Sequence, residues 1–316
     1  MSIKITAPHD SLSALRTAVL TAGALVAFAG NSLLCRLALD EAAIDPASYT
    51  ALRLAAGTLT LQLICWLCVS ERASATSGKS ALGGTLLFLY AIAFAYAYKS
   101  LSAGSGALIL FAAVQLTMIV AALATGERPS PVEWSGWLLA LAGFVYLVFP
   151  GIAAPSLGGS MLMMVAGVAW GAYSLLGGGA ANPINATRDS FLCAMPFVLL
   201  CVLIQLPGLT VSPTGIAWAL LSGAVTSGLG YVLCYAALGR LTAIRAAIVQ
   251  LAVPVIAAFA GVWLLSEPVT ARLSIAGVGI IGGIALALSG RQIASAKLAQ
   301  PLPGLKLVPG CERGRR

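Results

Sequence analysis

Charge is what this 316-residue chain has least of: 9% of its residues are Asp, Glu, Lys or Arg, against about 25% in soluble domains. With 59% hydrophobic residues and a mean hydropathy of +0.97, no soluble fold of this length hides its apolar surface. In a bilayer the problem disappears, because lipid is the solvent. Histidine is nearly missing. His9 stands alone, which excludes a multi-histidine metal site and a Ser/His/Asp or Cys/His triad at depth. Nucleotide-binding motifs are also missing. Gly177-Gly178-Gly179 lacks the Gly-Lys-Ser/Thr sequel of a phosphate loop and reads as a turn. An enzyme is not expected, and no catalytic residue, cofactor or metal ligand is assigned.

Acids are scarce where they would matter most. Asp10, Asp40, Glu41, Asp45, Glu71, Glu127, Glu133, Asp189, Glu267 and Glu312 all fall in loops, helix ends or termini. Proton-coupled carriers usually hold a carboxylate or histidine at depth, where a shifted pKa lets it carry the proton. A facilitated or weakly coupled carrier is the expectation here, and polycationic drugs are disfavoured as cargo. The net charge of +8 does not point to nucleic acid, because the basic residues are scattered and no basic patch interleaves with aromatics. Six of the seven cysteines lie in or beside apolar runs, where they behave as small hydrophobes. Cys65-x-x-Cys68 has redox spacing but sits in such a run beside Trp66.

What the chain does have is long apolar runs. A spanning helix needs about 20 mostly apolar residues. Ten candidates follow: Thr17–Leu34, Tyr49–Val69, Leu82–Tyr98, Gly104–Thr125, Trp134–Phe149, Leu157–Leu176, Phe191–Leu209, Gly215–Leu238, Ala246–Leu265 and Leu273–Ser289. The segment 1–16 is polar, so the first span reads as an uncleaved anchor. Residues 291–316, with Pro301, Pro303 and Pro309, read as a disordered cytoplasmic tail. With the N-terminus inside, 14 Lys and Arg fall on the cytoplasmic side and only Arg36, Lys99 and Arg272 outside. That bias predicts both termini cytoplasmic.

The chain also repeats itself. At a shift of 140, Leu101, Ala103, Ala107, Ala112, Glu127 and Gly143 match Leu241, Ala243, Ala247, Ala252, Glu267 and Gly283. At a shift of 142, Ala24-x-x-Ala27-Phe28 matches Ala166-x-x-Ala169-Trp170, and Ser32-Leu33-Leu34 matches Ser174-Leu175-Leu176. The paired glutamates weigh most, among only ten acids. A repeated unit of five helices must flip across the membrane, so the halves are expected to be inverted, as in secondary transporters. The fold expected is an all-α membrane protein of ten transmembrane helices. Its two five-helix repeats are 17–150 and 151–290.

Tyr98-Lys-Ser-Leu-Ser-Ala-Gly-Ser-Gly-Ala-Leu, Gly126-Glu127-Arg128, Trp134-Ser-Gly136 and Gly143 resemble the end of an EamA repeat. Ala243–Gln250, Pro254, Ser266-Glu267-Pro268 and Gly282-Gly283 resemble its second copy, and Trp170-Gly171 its first-helix signature. The first helix has Phe28-Ala29-Gly30-Asn31 instead. The resemblance implies the drug/metabolite transporter superfamily. It implies a multi-pass permease of the cytoplasmic (inner) membrane moving a small metabolite, often an amino acid and commonly outward. Helices one, three, four, six, eight and nine would line its cavity.

Arg53 lies four residues into a predicted span. It either snorkels outward or pairs with a loop acid, or it faces a wet cavity and attracts a substrate carboxylate. Asn31, Gln115, Tyr173, Tyr231, Tyr235 and Gln250 are polar groups within spans. Each needs a partner and serves either helix packing or a substrate. Pro254 frees the carbonyl of Gln250. Tyr90, Phe94 and Tyr98 form an i, i+4, i+8 stripe, which packs or makes an aromatic wall. Candidate substrate contacts are thus Asn31, Arg53, Tyr90, Tyr98, Gln115, Trp170, Tyr173, Tyr231, Tyr235 and Gln250. Glu127 and Glu267 either shape their turns or gate. The partners expected are a small-molecule substrate and the lipid bilayer. A competing reading is a non-transporting membrane scaffold or receptor-like protein, with a dry, tightly packed centre.

Overall fold

The computed structural model describes residues 9–39, 43–68, 78–126, 129–149, 151, 154–177, 180, 182–238 and 249–299. Among these the regular structure is helical, apart from one antiparallel bridge between Ile44 and Val211, and short turns and connections join the helices. The helices are α1 (His9–Leu39), α2 (Pro46–Cys68), α3 (Gly78–Tyr98), α4 (Ala103–Ala124), α5 (Pro131–Val148), α6 (Leu157–Gly177) and α7 (Pro183–Gln205). Next, α8 runs Pro213–Leu221, continues through a π-helical stretch Ser222–Leu229 and ends in Gly230–Leu238. It is followed by α9 (Ala252–Leu265) and α10 (Ala271–Ala299). Nine are long and apolar enough to cross a membrane, and α9 is a shorter apolar helix. Large apolar side chains remain exposed along them, among them Trp263 at 88%, Trp66 at 78% and Phe259 at 72%. Such a surface is stable in lipid and not in water.

Local sequence sets the helix starts. Four helices open on Ser or Asn just before Pro or a small residue. Ser102, Ser130, Asn182 and Ser212 each accept a bond from the amide three residues on. At α5 the Glu133 carboxylate also accepts from the Ser130 amide at 2.6 Å, a full capping box. Proline follows the cap at 131, 183 and 213, where its missing N–H costs nothing. At α2 the Asp45 carboxylate does the capping, accepting from Ala47 and Ser48 at 3.0 and 2.9 Å.

Packing relies on glycine where backbones approach. Along α5 and α10, Gly136 lies beside Gly283 and Ala287, and Gly143 beside Ala276, Gly279 and Ile280. The two helices therefore run antiparallel in near backbone contact. The repeat is visible in local geometry too. Gly126 and Ser266, 140 positions apart, end α4 and α9 with positive φ of 83° and 51°.

One end of the bundle is tied together by polar contacts between connections. The Thr210 amide donates to the Asp45 carboxylate and the Ser212 amide to the Ala43 carbonyl, at 3.0 and 2.8 Å. Ser156 bonds Ser100 at 2.7 Å. Arg272 donates to the Phe149 carbonyl at 2.6 Å. Arg36 pairs with Glu267 at 3.1 Å and donates to the Tyr98 carbonyl at 3.0 Å. The other Glu267 oxygen accepts from the Ala103 amide at 2.8 Å. Glu267 thus caps the N-terminus of α4, where negative charge is favoured. Glu127 and Ala243, the matching positions of the repeat, lie outside the described residues.

The ninth predicted span is interrupted. Residues 249–250 are helical, Leu251 forms a turn, and α9 begins at Ala252. Pro254 stands in the first turn of α9 and has no N–H to carry the helix back to Gln250. Val114, its counterpart at a shift of 140, lies within the unbroken α4.

Candidate functional site

A pinched cavity of about 10 Å³, room for no more than about one water, lies between α1, α3, α4, α6 and α8. Its walls are Phe28, Asn31, Ser32, Tyr90, Phe94, Leu110, Phe111, Trp170, Thr226, Ser227 and Tyr231. Four of the sequence-selected residues meet here: Asn31, Tyr90, Trp170 and Tyr231. Trp170 is the hub of the aromatic wall. It stacks on Tyr90 at 5.5 Å and takes Phe28 and Phe111 edge-on at 5.9 and 5.7 Å. Phe28, where the first helix departs from the Trp-Gly signature, bridges Trp170 to Tyr231 at 6.1 Å.

A hydroxyl network backs the cavity wall at Asn31 and Thr226. Tyr49 donates to Ser222 at 2.8 Å, and Ser222 donates to the Asn31 side-chain oxygen at 2.9 Å. The Thr226 hydroxyl lies 3.1 Å from the same oxygen. The Asn31 amide nitrogen donates to the Tyr90 hydroxyl at 3.3 Å. The wider π-helical turn brings Ser222, Thr226 and Ser227 to this one face, and π-turns recur at functional sites. These three residues and Tyr49 were not selected from sequence. The signal was there as Ser222-x-x-x-Thr226-Ser227, a hydroxyl cluster in an apolar run.

Arg53 is 3% exposed and neither snorkels nor pairs with Asp45, whose carboxylate bonds backbone amides instead. Its Nε donates to Ser227 at 3.3 Å and one terminal nitrogen to the Tyr90 hydroxyl at 3.1 Å. The guanidinium lies over the Tyr90 and Phe94 rings, 5.3 and 5.1 Å from their centroids. The remaining nitrogen, Nη1, is buried and has no hydrogen-bond partner. Burying an ion costs several kcal/mol, while cation–π contacts return about 0.5–2 kcal/mol each. The charge is held beside the cavity, through Tyr90 and Ser227, without an anion.

The other selected residues lie elsewhere. Tyr98 is buried beyond Phe94 toward the tied end, donating to the Ala103 carbonyl at 3.4 Å. Tyr173 and Tyr235 meet at Thr187, at 3.4 and 2.7 Å, and Tyr235 stacks on Tyr231 at 6.2 Å. They extend the aromatic wall past the cavity. Gln115 lines a second cavity between α4, α5 and α10, with Glu133 and Trp137. Gln250 stands at the helix break. Among the described residues no cluster of His, Cys, Asp or Glu has a metal-binding arrangement.

The EamA-like transporter family model matches residues 15–149 and 157–289. The chain belongs to the EamA-like transporter family. It is 50% identical over 277 residues to uncharacterized protein PA1977 of Pseudomonas aeruginosa, covering 87% of this chain and 96% of that one. A crystal structure of a protein with 20% identity superposes with a TM-score of 0.63, over 87% of this chain and 98% of the other, and shows the likeness of fold. Family and apolar helices together make this EamA member a multi-pass membrane protein of drug/metabolite transporter type.

Proposed function

We propose that this EamA member is a secondary transporter of the cytoplasmic (inner) membrane, moving a small polar or zwitterionic metabolite, with amino acids as the first candidates. It works by alternating access. Residues 17–150 and 151–290 are its two repeats, inverted about an axis in the membrane plane.

The observation that carries this is the exchange symmetry of the packing. Substitute for each helix its partner five places along. Then α3 on α6 becomes α8 on α1, α4 on α6 becomes α9 on α1, and α3 on α7 becomes α8 on α2; each of these contacts is present. The contacts of α5 with α10, α2 with α7, and α4 with α9 map onto themselves. A passive scaffold gives no reason for such symmetry around a polar, aromatic-walled cavity. Rocking of one half against the other opens that cavity first to one side and then to the other.

The Lys and Arg bias supports cytoplasmic termini, with the tied end facing out. No Asp or Glu lines the central cavity among the described residues, which supports a carrier that does not take its energy from protons. The test is flux by purified protein in liposomes, with a panel of amino acids and related metabolites. Selective flux down its gradient, without accumulation in response to pH alone, is expected. Absence of flux for every panel member by folded, inserted protein overturns the proposal, and pH-driven accumulation overturns the uncoupled mechanism.

A further inference from the structure

Arginine cannot lose its proton in a protein, so Arg53 is a fixed positive charge in the membrane-spanning part of the bundle. The ion pairs among the described residues are Arg36–Glu267 and Arg188–Asp189, and neither involves it. Its polar partners, Ser227 and Tyr90, are neutral and both line the central cavity. Its third nitrogen is buried and unpartnered. A charged residue at membrane depth is retained for a partner, and the partner here has to come from outside the described protein.

The surroundings restrict that partner. No Lys or Arg lines the cavity itself among the described residues, and Arg53 stands directly behind the lining residues Tyr90 and Ser227, so one negative charge reaching past them is matched and two are not. A flat guanidinium edge with a free N–H suits a carboxylate. Beyond it the walls are aromatic faces, Trp170, Tyr231 and Phe28, with the Asn31 amide between. These favour an apolar or aromatic body and leave a cationic group nothing stronger than ring faces.

We propose that Arg53 anchors the substrate carboxylate, and that this carrier takes small organic molecules bearing a single free carboxylate on an apolar or aromatic body. This rests on the transport function proposed above and names its substrate class. On binding, the carboxylate takes up the free N–H of Arg53 and displaces the weak bonds to Ser227 and Tyr90.

Equilibrium binding to the full chain in lipid nanodiscs tests this by calorimetry. The probes are phenylacetate, leucine, their neutral amides phenylacetamide and leucinamide, and inorganic phosphate. At least one acid is expected to bind, and its amide about tenfold more weakly or worse. Arg53→Gln is expected to erase the preference for acid over amide, and Arg53→Lys to keep part of it. Binding of phenylacetate or of leucine alone also supports the anchor, and tells whether an ammonium group is required. Amides binding as tightly as acids, a preference for phosphate, or no acid bound at all overturns it. If Arg53→Gln does not fold, the acid–amide comparison on the unaltered chain decides. Flux separates the two proposals. Acid-selective binding without flux overturns transport and leaves the anchor, whereas flux indifferent to amidation does the reverse.

Discussion

Arg36 in the last turn of α1 and Glu267 after α9, 231 positions apart in sequence, meet at 3.1 Å with side chains 21% and 11% exposed. The pair joins the two repeats at the tied end of the bundle, and its glutamate also holds the Ala103 amide that opens α4.

Glu267→Ala is expected to loosen that end. The pair is only partly exposed, so its loss and that of the cap remove roughly 1–2 kcal/mol from the closed state, about a five- to thirty-fold shift in population. The measurement is the labelling rate of Ser32→Cys, a cavity-wall position, by an impermeant thiol reagent in a background with the other cysteines replaced. The rate rises if the pair is a latch. An unchanged rate assigns Glu267 to shaping its turn alone.

Gly136 and Gly283 are expected to resist any side chain. A Cβ on Gly136 would lie 2.5 Å from the Ala287 nitrogen and the Gly283 oxygen, and one on Gly283 would lie 2.6 Å from the Gly136 oxygen. Backbone cannot rotate aside, so the helices must separate. Gly283→Ala should cost about 1–3 kcal/mol, read as a lower midpoint in thermal unfolding in detergent. Gly282→Ala meets nothing within 4 Å and should be neutral or gain up to about 1 kcal/mol from helix propensity. Equal effects of the two would remove the packing argument.

Pro254→Ala is expected to restore an N–H able to reach the Gln250 carbonyl and to join the helix across Leu251. Stability should rise by about 1 kcal/mol or more, while flux slows if the break is a hinge. Hydrogen exchange at 250–256 and initial flux are the paired measurements. A stabilised helix with unchanged flux would leave the break without a role in transport.

Much of this was legible in the sequence because lipid demands it: apolar spans of fixed length and the repeated glutamates follow from composition and spacing, whereas the Ser/Asn-Pro helix starts at 130–131, 182–183 and 212–213 lie ahead of the predicted spans. Asn31, Tyr90, Trp170 and Tyr231 meet at one cavity, although the sequence alone left helix packing and substrate contact both open for such residues. Gln115 lines a different cavity, since a side chain's direction around α4 cannot be read from a helix that is apolar all round. The hydroxyls of Ser222, Thr226 and Ser227 were passed over because their common face depends on a π-helical turn that periodicity of 3.6 does not anticipate. The site of Arg53 was left between interface and cavity, because depth along α2 does not tell which neighbour receives the side chain. Tyr90 and Ser227 receive it, from α3 and α8.

Asn31 offers the sharpest internal check on the charge beside the cavity. Its amide nitrogen and an Arg53 nitrogen both donate to the Tyr90 hydroxyl, at 3.3 and 3.1 Å. Asn31→Asp places a carboxylate one hydroxyl away from the unpaired guanidinium, at little change of volume. If Arg53 awaits an anion, the new carboxylate supplies it permanently. Thermal stability should then hold or rise, because a buried charge gains its partner, while substrate flux falls about tenfold or more as the built-in anion competes for the same N–H. The two readouts must move apart. Asn31→Ala makes the contrast: it strips an acceptor from Ser222 and Thr226 and a donor from Tyr90, so stability should drop by about 1–3 kcal/mol with Arg53 still unpaired. Should Asn31→Asp lose stability as Asn31→Ala does, Arg53 is already balanced by its ring and hydroxyl neighbours and needs no anion.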